Sequence, residues 1–196
     1  DYVIHAAALK HVPAAEYNPL ECIKTNIYGS SNIVSAAIDA KVKKVLALST
    51  DKAVNPINLY GATKLCAEKI FIDGNAISGK NSTSFSIVRY GNVLSSRGSI
   101  IPLIKKLKLE KQKTIPLTDE RMTRFFINLT DAVKFVLSCF KMMDKGEIFI
   151  PKMPSIYIKD LMKTIYPEAN IKIIGIRPGE KIDELLISKD ESLDTY

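Results

Sequence analysis

The sequence predicts an α/β fold in which a parallel sheet carries right-handed crossover helices, and three features predict it. VKKVLALST runs continuously apolar from Val45 to Leu48, as a strand covered on both faces does. The stretch before it, PLECIKTNIYGSSNIVSAAIDAK, sets Ile23, Ile27, Val34, Ala37 and Ile38 along one stripe of a long helix. A second unit follows at once, the helix LYGATKLCAEKIFIDGNA and the strand FSIVRYGNV, and two successive strand-helix units imply parallel pairing.

The elements follow in order. YVIHAA opens the chain as a strand. The helix from Leu59 is expected to stop near Asp73-Gly74-Asn75, where glycine and asparagine favour a C-terminal cap. Beyond residue 92 the elements shorten: a helix near Ile101 to Glu110, a strand at TIPL and an extended RFFIN. LTDAVKFVLSCFKMM is a helix with Thr130 as its expected N-cap, because a hydroxyl oxygen can accept an unpaired amide hydrogen there. GEIFIP reads as a strand, SIYIKDLMKTIY as a helix and NIKIIGIR as a last strand before the turn PGEK. The tail KDESLDTY is expected to be loosely ordered.

Composition narrows the classes of function. With 46% hydrophobic and 25% charged residues, the 196-residue chain is globular and not disordered. No apolar run reaches the roughly 18 residues a membrane span needs, and DYVIHAAALK has neither a basic leader nor a cleavage site, so a cytoplasmic location is expected. Cys22, Cys66 and Cys139 are odd in number and far apart, which offers no disulfide framework and no CxxC site. His5 and His11 are the only imidazoles, so no metal centre is expected; both are read as packing or cofactor-proximal groups. The net charge of +7 favours anionic partners, phosphorylated small molecules among them. A basic nucleic-acid-binding module is the competing reading, but its aromatic platforms are missing, since the aromatic residues fall mostly in apolar runs.

The chemistry concentrates in STDKAVNPINLYGATK, Ser49 to Lys64. On a helix, Tyr60 and Lys64 stand one turn apart and point the same way. A phenol titrates near about pH 10, and a neighbouring ammonium is expected to favour its ionised form, able to take a proton from a sugar hydroxyl. Thr50, Asp51 and Lys52 would stand at the carboxyl edge of the buried strand, where parallel sheets open a ligand crevice. Taken alone, Asp51 and Lys52 also fit an exposed loop pair of opposite charge.

Three motifs in order, HAAALKHVPAAEYNP, STDKAVNPINLYGATK and GIRPGEK, resemble the extended short-chain dehydrogenase/reductase superfamily from Tyr2 to about Leu186. Within it the chain is most similar to the UDP-N-acetylglucosamine 4,6-dehydratases of bacterial surface-sugar synthesis. Sugar dehydratases acting on dTDP-glucose usually carry Asp-Glu where Asp51-Lys52 stand, so the lysine points to the N-acetylglucosamine branch. Many relatives carry methionine where this chain has Tyr60, and the inverting dehydratase that opens pseudaminic acid synthesis is similar in keeping tyrosine.

The resemblance implies a Rossmann-type doubly wound parallel sheet with a small α/β substrate-binding region. Residues 1–92 would be the C-terminal half of the dinucleotide domain. Residues 93–190 would be mainly the substrate region, with returns to the sheet, and 191–196 a tail. It also implies a glycine-rich strand-turn-helix for the cofactor pyrophosphate, a motif this sequence does not contain. The chain is therefore expected to lack the first half of the cofactor domain and to be inactive alone.

The implied chemistry is NADP-dependent (NAD being the alternative) 4,6-dehydration of UDP-N-acetylglucosamine with inversion at C5. Tyr60 would take the C4 hydroxyl proton, Lys52 the C5 proton, and Asp51 would protonate the departing C6 hydroxyl. Ala6, Ala7, Lys10, Asn26, Tyr60 and Lys64 are the implied cofactor residues. Lys10, Asn92, Arg97, Thr118, Arg124, Arg177 and Glu180 are the implied contacts to the UDP-sugar, arginine suiting a diphosphate because its planar fork donates two bonds at once. A homo-oligomer without nucleic acid or a membrane segment is expected. A retaining dehydratase or an NDP-sugar 4-epimerase are the alternative activities.

Overall fold

The structure, a computed structural model, describes residues 1–79, 83–96 and 98–196. These divide into two compact units: Asp1–Tyr90 with Val133–Pro151 and Leu185–Tyr196, and Gly91–Ala132 with Lys152–Glu184.

The first unit is built on a four-stranded, all-parallel sheet of order β1 (Tyr2–His5), β2 (Lys44–Thr50), β3 (Ser84–Tyr90) and β7 (Ile148–Phe149). This is the predicted α/β architecture. β1 ends at His5 opposite Ala47, whereas β2 stays paired with β3 as far as Thr50 and Tyr90. Leu48 to Thr50 therefore project past β1 at the carboxyl edge. α1 (Val12–Tyr17), where no element is predicted, starts with Pro13 in its first turn, a position that does not need an amide hydrogen.

The long helix expected from Pro19 forms as α2 (Pro19–Ile23), a π-helical turn over Lys24–Tyr28, and α3 (Gly29–Asp39). Asn26 lies inside that wider turn, and its amide explains the interruption. It donates to the Leu9 carbonyl at 3.0 Å and to Thr63 Oγ1 at 3.0 Å, and its oxygen accepts from Leu9 N at 2.8 Å. A π turn of this kind re-aims one side chain without ending the helix.

α4 (Leu59–Ser78) does not stop at Asp73-Gly74-Asn75. A Cβ on Gly74 would lie 3.0 Å from Val34 and 3.1 Å from Phe85, so this glycine serves close packing between α4, α3 and β3. Asn75 likewise bonds the backbone of β3, accepting from Phe85 N at 2.8 Å and donating to Phe85 O at 2.9 Å. Both residues look like a helix stop in one dimension and act as a helix–strand seam in three. Val45, Ala47, Phe85 and Ile87 from the sheet, Val34 and Ala37 from α3, and Phe71 from α4 form the core beside that seam.

α6 (Leu129–Met142) is capped by Asn128, whose side-chain oxygen accepts from Asp131 N at 2.8 Å, and not by the predicted Thr130. Helix formation begins two residues earlier than Thr130 would require. At its other end Lys44 Nζ donates to the carbonyls of Phe140 and Met143, a cation where the helix dipole favours one.

The second unit pairs β4 (Asn92–Val93) parallel to β6 (Thr123–Ile127), with β8 (Ser155–Tyr157) antiparallel on the other side of β6. β5 (Thr114–Leu117) runs parallel to β9 (Asn170–Ile173). α5 (Ile100–Leu109) and α7 (Ile158–Ile165) supply Ile104, Ile158 and Met162 to a core with Ile115, Leu117, Met122 and Phe126. The segment predicted as one helix from Ser155 thus starts as a strand: pairing with β6 satisfies its first three residues before the helix begins.

The tail is also more ordered than predicted. Glu191–Asp194 form a 3-10 turn, and the Glu191 carboxylate accepts two bonds from Arg89, at 2.8 and 3.0 Å. No helix among the described residues is long and apolar enough to cross a membrane, and no group of three or more His, Cys, Asp or Glu there is placed to hold a metal.

Candidate active site

The carboxyl end of β2 runs directly into a 3-10 turn over Asp51–Ala53, and α4 begins six residues later. Two oxygens cap α4: Asn58 Oδ1 accepts from Gly61 N at 2.8 Å and Glu16 Oε1 from Leu59 N at 2.7 Å. The first turn of α4 then touches the 3-10 turn. A Cβ on Gly61 would sit 2.2 Å from the carbonyl oxygen of Lys52, so only glycine allows this approach. Since Tyr60 is the neighbour of Gly61, the same contact fixes the phenol relative to Asp51 and Lys52.

Asp51 is completely buried. Its Oδ1 accepts from Thr50 Oγ1 and from Lys52 Nζ, each at 2.9 Å, whereas Oδ2 has no hydrogen-bond partner among the described residues. Lys52 is one-fifth exposed. The pair is therefore not the solvated surface couple that the sequence also allowed: it is an acid withdrawn from water and a base at its rim, one proton transfer apart.

Tyr60 and Lys64 both lie on α4, one turn apart as predicted, and both are buried. Their electrostatics differ from the expectation. Burial raises the Tyr60 phenol above its usual value; a hydrogen bond with Thr50 works against this, and the Asp51 charge adds to it. Lys64 does not offset it. Its Nζ donates to the Leu48 carbonyl at 2.7 Å, and burial pushes its pKa down to about 8, with Glu68 acting in the opposite sense. For both groups desolvation is the largest influence, and neither acts on the other's titration.

His5, at the end of β1, is buried against Phe71 with ring centroids 5.3 Å apart, and its Nε2 has no partner among the described residues. Burial first, and Lys64 second, lower its pKa, so it is held neutral. Ala6 and Ala7 follow it exposed, as is Lys10 in the next loop. Asn26 ties that loop to Thr63 on α4, which makes it a strut between β1's exit and the helix carrying Tyr60 and Lys64.

Of the residues predicted to meet a UDP-sugar, Asn92, Thr118, Arg124, Arg177 and Glu180 lie in the second unit and Lys10 in the first. Asn92 is half-buried in β4, and Thr118 is buried, with its hydroxyl 3.4 Å from Met122 Sδ. Arg177 and Glu180 face each other across a turn, Glu180 N donating to the Arg177 carbonyl at 3.1 Å. Arg124 is buried and directs its fork at backbone, donating to the carbonyls of Thr123, Ile182 and Lys181 at 2.6 to 2.8 Å. Arg97 lies outside the described residues.

Sequence reasoning missed Gly61, Glu68 and Arg89. Gly61 was detectable, because a glycine in the first turn of a helix marks a close approach. Glu68 stands four residues after Lys64, the spacing of a facing acid. Arg89 sits in an apolar strand and gives no local signal of its partners.

A parallel sheet whose carboxyl edge carries an Asp-Lys pair, with Tyr-x-x-x-Lys on the helix that follows, defines the extended short-chain dehydrogenase/reductase architecture. The chain belongs to the polysaccharide biosynthesis protein family, which it matches over residues 1–196. It is 59% identical over 196 residues to the UDP-N-acetylglucosamine 4,6-dehydratase (inverting) of Campylobacter jejuni serotype O:2, covering 100% of this chain and 59% of that protein. It is 47% identical over 196 residues to the UDP-glucose 4-epimerase of Rickettsia massiliae, covering 97% of this chain and 57% of that one. The crystal structure of Pen from Bacillus thuringiensis superimposes with a TM-score of 0.93 at 44% identity, over 98% of this chain and 61% of that chain. The chain thus spans about three-fifths of the length of the relatives it matches.

Proposed function

We propose that this chain supplies the acid–base half of a UDP-N-acetylglucosamine 4,6-dehydratase that inverts C5. The observation that carries the reading is the Asp51–Lys52 pair at the edge of the sheet, Asp51 buried and Lys52 at its rim, held beside Tyr60 by the Gly61 contact. The residues present fit the reactive end of a nicotinamide dinucleotide: Tyr60 and Lys64 lie at the sheet's carboxyl edge beside Asp51, whose Oδ2 is buried without a hydrogen-bond partner among the described residues. When bound, NADP, with NAD as the alternative, supplies the store that takes hydride from C4 and returns it to C6, without net oxidation of the sugar.

The chain's own groups account for the protons. Tyr60, ionised when it acts, takes the proton of the C4 hydroxyl. A C4 ketone acidifies the C5 hydrogen, and Lys52 as the neutral amine accepts that proton while Asp51 as the acid gives its own to the C6 hydroxyl, which leaves as water. The pair so ends as carboxylate and ammonium, the ion pair seen at 2.9 Å. Transfer of one proton from Lys52 Nζ to Asp51 Oδ1 resets it. Reprotonation of C5 by solvent from the face opposite Lys52 gives inversion, and Tyr60 returns the C4 hydroxyl proton to solvent, so that the net change is the loss of one water. Asn92, Arg97, Thr118, Arg177 and Glu180 are assigned to the UDP-sugar on their motifs, with Arg124 positioning residues 181 and 182 as well.

The test is solvent exchange in the full-length protein. In deuterated water the wild type incorporates deuterium at C5, and Lys52→Ala is expected to abolish this. Retained exchange removes Lys52 as the base. A 4-epimerase is the second reading, supported by the 47% identity to a protein of that name. It predicts a product isomeric with the substrate, whereas dehydration predicts the loss of one water by mass.

A further inference from the structure

Arg89 lies on β3 with only 1% of its surface exposed, and every N–H of its guanidinium is engaged. Nε donates to Glu68 Oε1 at 3.1 Å and Nη2 to Glu68 Oε2 at 2.7 Å. Nη2 also donates to Glu191 Oε1 at 2.8 Å, while Nη1 donates to Glu191 Oε2 at 3.0 Å and to the Leu186 carbonyl at 2.8 Å. One cation thus serves two carboxylates: Glu68 is buried, and Glu191 is about one-third exposed. Glu68 reaches the proposed site twice. It accepts from the Ser49 hydroxyl at 2.5 Å, and it stands one helical turn beyond Lys64.

We propose that Arg89 and Glu191 are positioning residues for the proposed site: by sharing the guanidinium with Glu68, the Glu191 carboxylate sets how much negative charge Glu68 presents to Lys64. The three side chains carry one net negative charge. Neutralising Glu191 leaves Arg89 wholly to Glu68, and Lys64 then faces a pair with no net charge. Among the described residues, few groups act on Lys64. Glu68 on its own helix attracts the ammonium, His5 from β1 is neutral, and the Leu48 carbonyl from β2 accepts its hydrogen bond. Losing the Glu191 charge therefore favours the neutral amine and lowers the Lys64 pKa further from its present value of about 8.

The inference rests on the reading of Lys64 as a site residue, but its test needs no sugar and no turnover, so it stands or falls apart from the dehydration assay. Lysine labelled at the side-chain ε-carbon reports the titration of Lys64 by NMR in the full-length protein, the resonance being assigned by its loss in Lys64→Arg. Glu191→Gln is nearly isosteric and still accepts from Arg89. It is expected to move the Lys64 midpoint down by about half a pH unit, roughly a threefold change in the amine-to-ammonium ratio. Glu191→Asp, which restores the charge, returns most of the shift. Asp194→Asn removes the same charge from the same 3-10 turn and is expected to leave the midpoint in place. A chain ending at Asp190 is an independent second variant and must shift Lys64 in the same direction. An unchanged midpoint in Glu191→Gln or in the shortened chain, or an equal shift in Asp194→Asn, overturns the proposal.

Discussion

Gly61 and Asp51 carry the sharpest expectations for single side chains. A methyl group at Gly61 would overlap the Lys52 carbonyl at 2.2 Å, so Gly61→Ala must push the 3-10 turn and the first turn of α4 apart. A misplacement of about 1 Å between reacting groups costs on the order of 10²-fold in rate, and that loss is expected in the full-length protein with helix content by circular dichroism unchanged. A Gly61→Ala enzyme with near wild-type turnover would show that this contact does not position Tyr60. For Asp51, burial combined with an oxygen that has no hydrogen-bond partner among the described residues is what separates it from a surface ion pair, as the proposed acid role requires. The residue types at the site were legible in STDKAVNPINLYGATK. Their protonation was not: in place of the expected ammonium–phenol attraction, desolvation dominates both groups, and it depends on how completely the fold covers them.

Among the elements, the C-terminal 3-10 turn departs furthest from its sequence, since KDESLDTY reads as a loose polar tail and yet is anchored through Arg89. That anchor carries a pH dependence. The Arg89 hydrogen bonds, with smaller help from Ser188, lower the Glu191 pKa from the ordinary 4.5 to about 2. A lowered carboxylate pKa contributes stability that is full above the ordinary value and lost as pH falls through the folded one. The protection of the amides from Ser188 to Leu193, taken relative to their intrinsic exchange rate at each pH, is therefore expected to fall between about pH 5 and pH 2, ahead of that of the β2 amides in the same sample. Parallel loss of protection in the tail and in β2 would refute a separate acid-sensitive latch. α4 teaches the complementary lesson: Gly74 and Asn75 are seam residues because β3 lies against them, and nothing within the helix sequence reports that.

For the molecule as a whole, each unit has its own apolar core, one centred on Phe71, Phe85 and Ile87 and the other on Ile104, Ile115 and Met162. Phe71 is 1% exposed, and Phe71→Ala removes a full aromatic ring between α4 and the sheet. The expected cost is about 3–5 kcal/mol, read by denaturant unfolding of the full-length protein, with the largest loss of amide protection in β2 and β3. A cost below about 1 kcal/mol would mean that the site's helix is held by something other than this core. The parallel sheet, its crossover helices and the chemistry at the end of β2 follow from apolar periodicity and from a motif contiguous in the chain, because both are local properties. The π turn at Asn26, the strand at Ser155 and the Arg89–Glu191 anchor do not. Each satisfies a polar group through a partner 17 to 102 residues away, and such pairings exist only once the chain has closed around them.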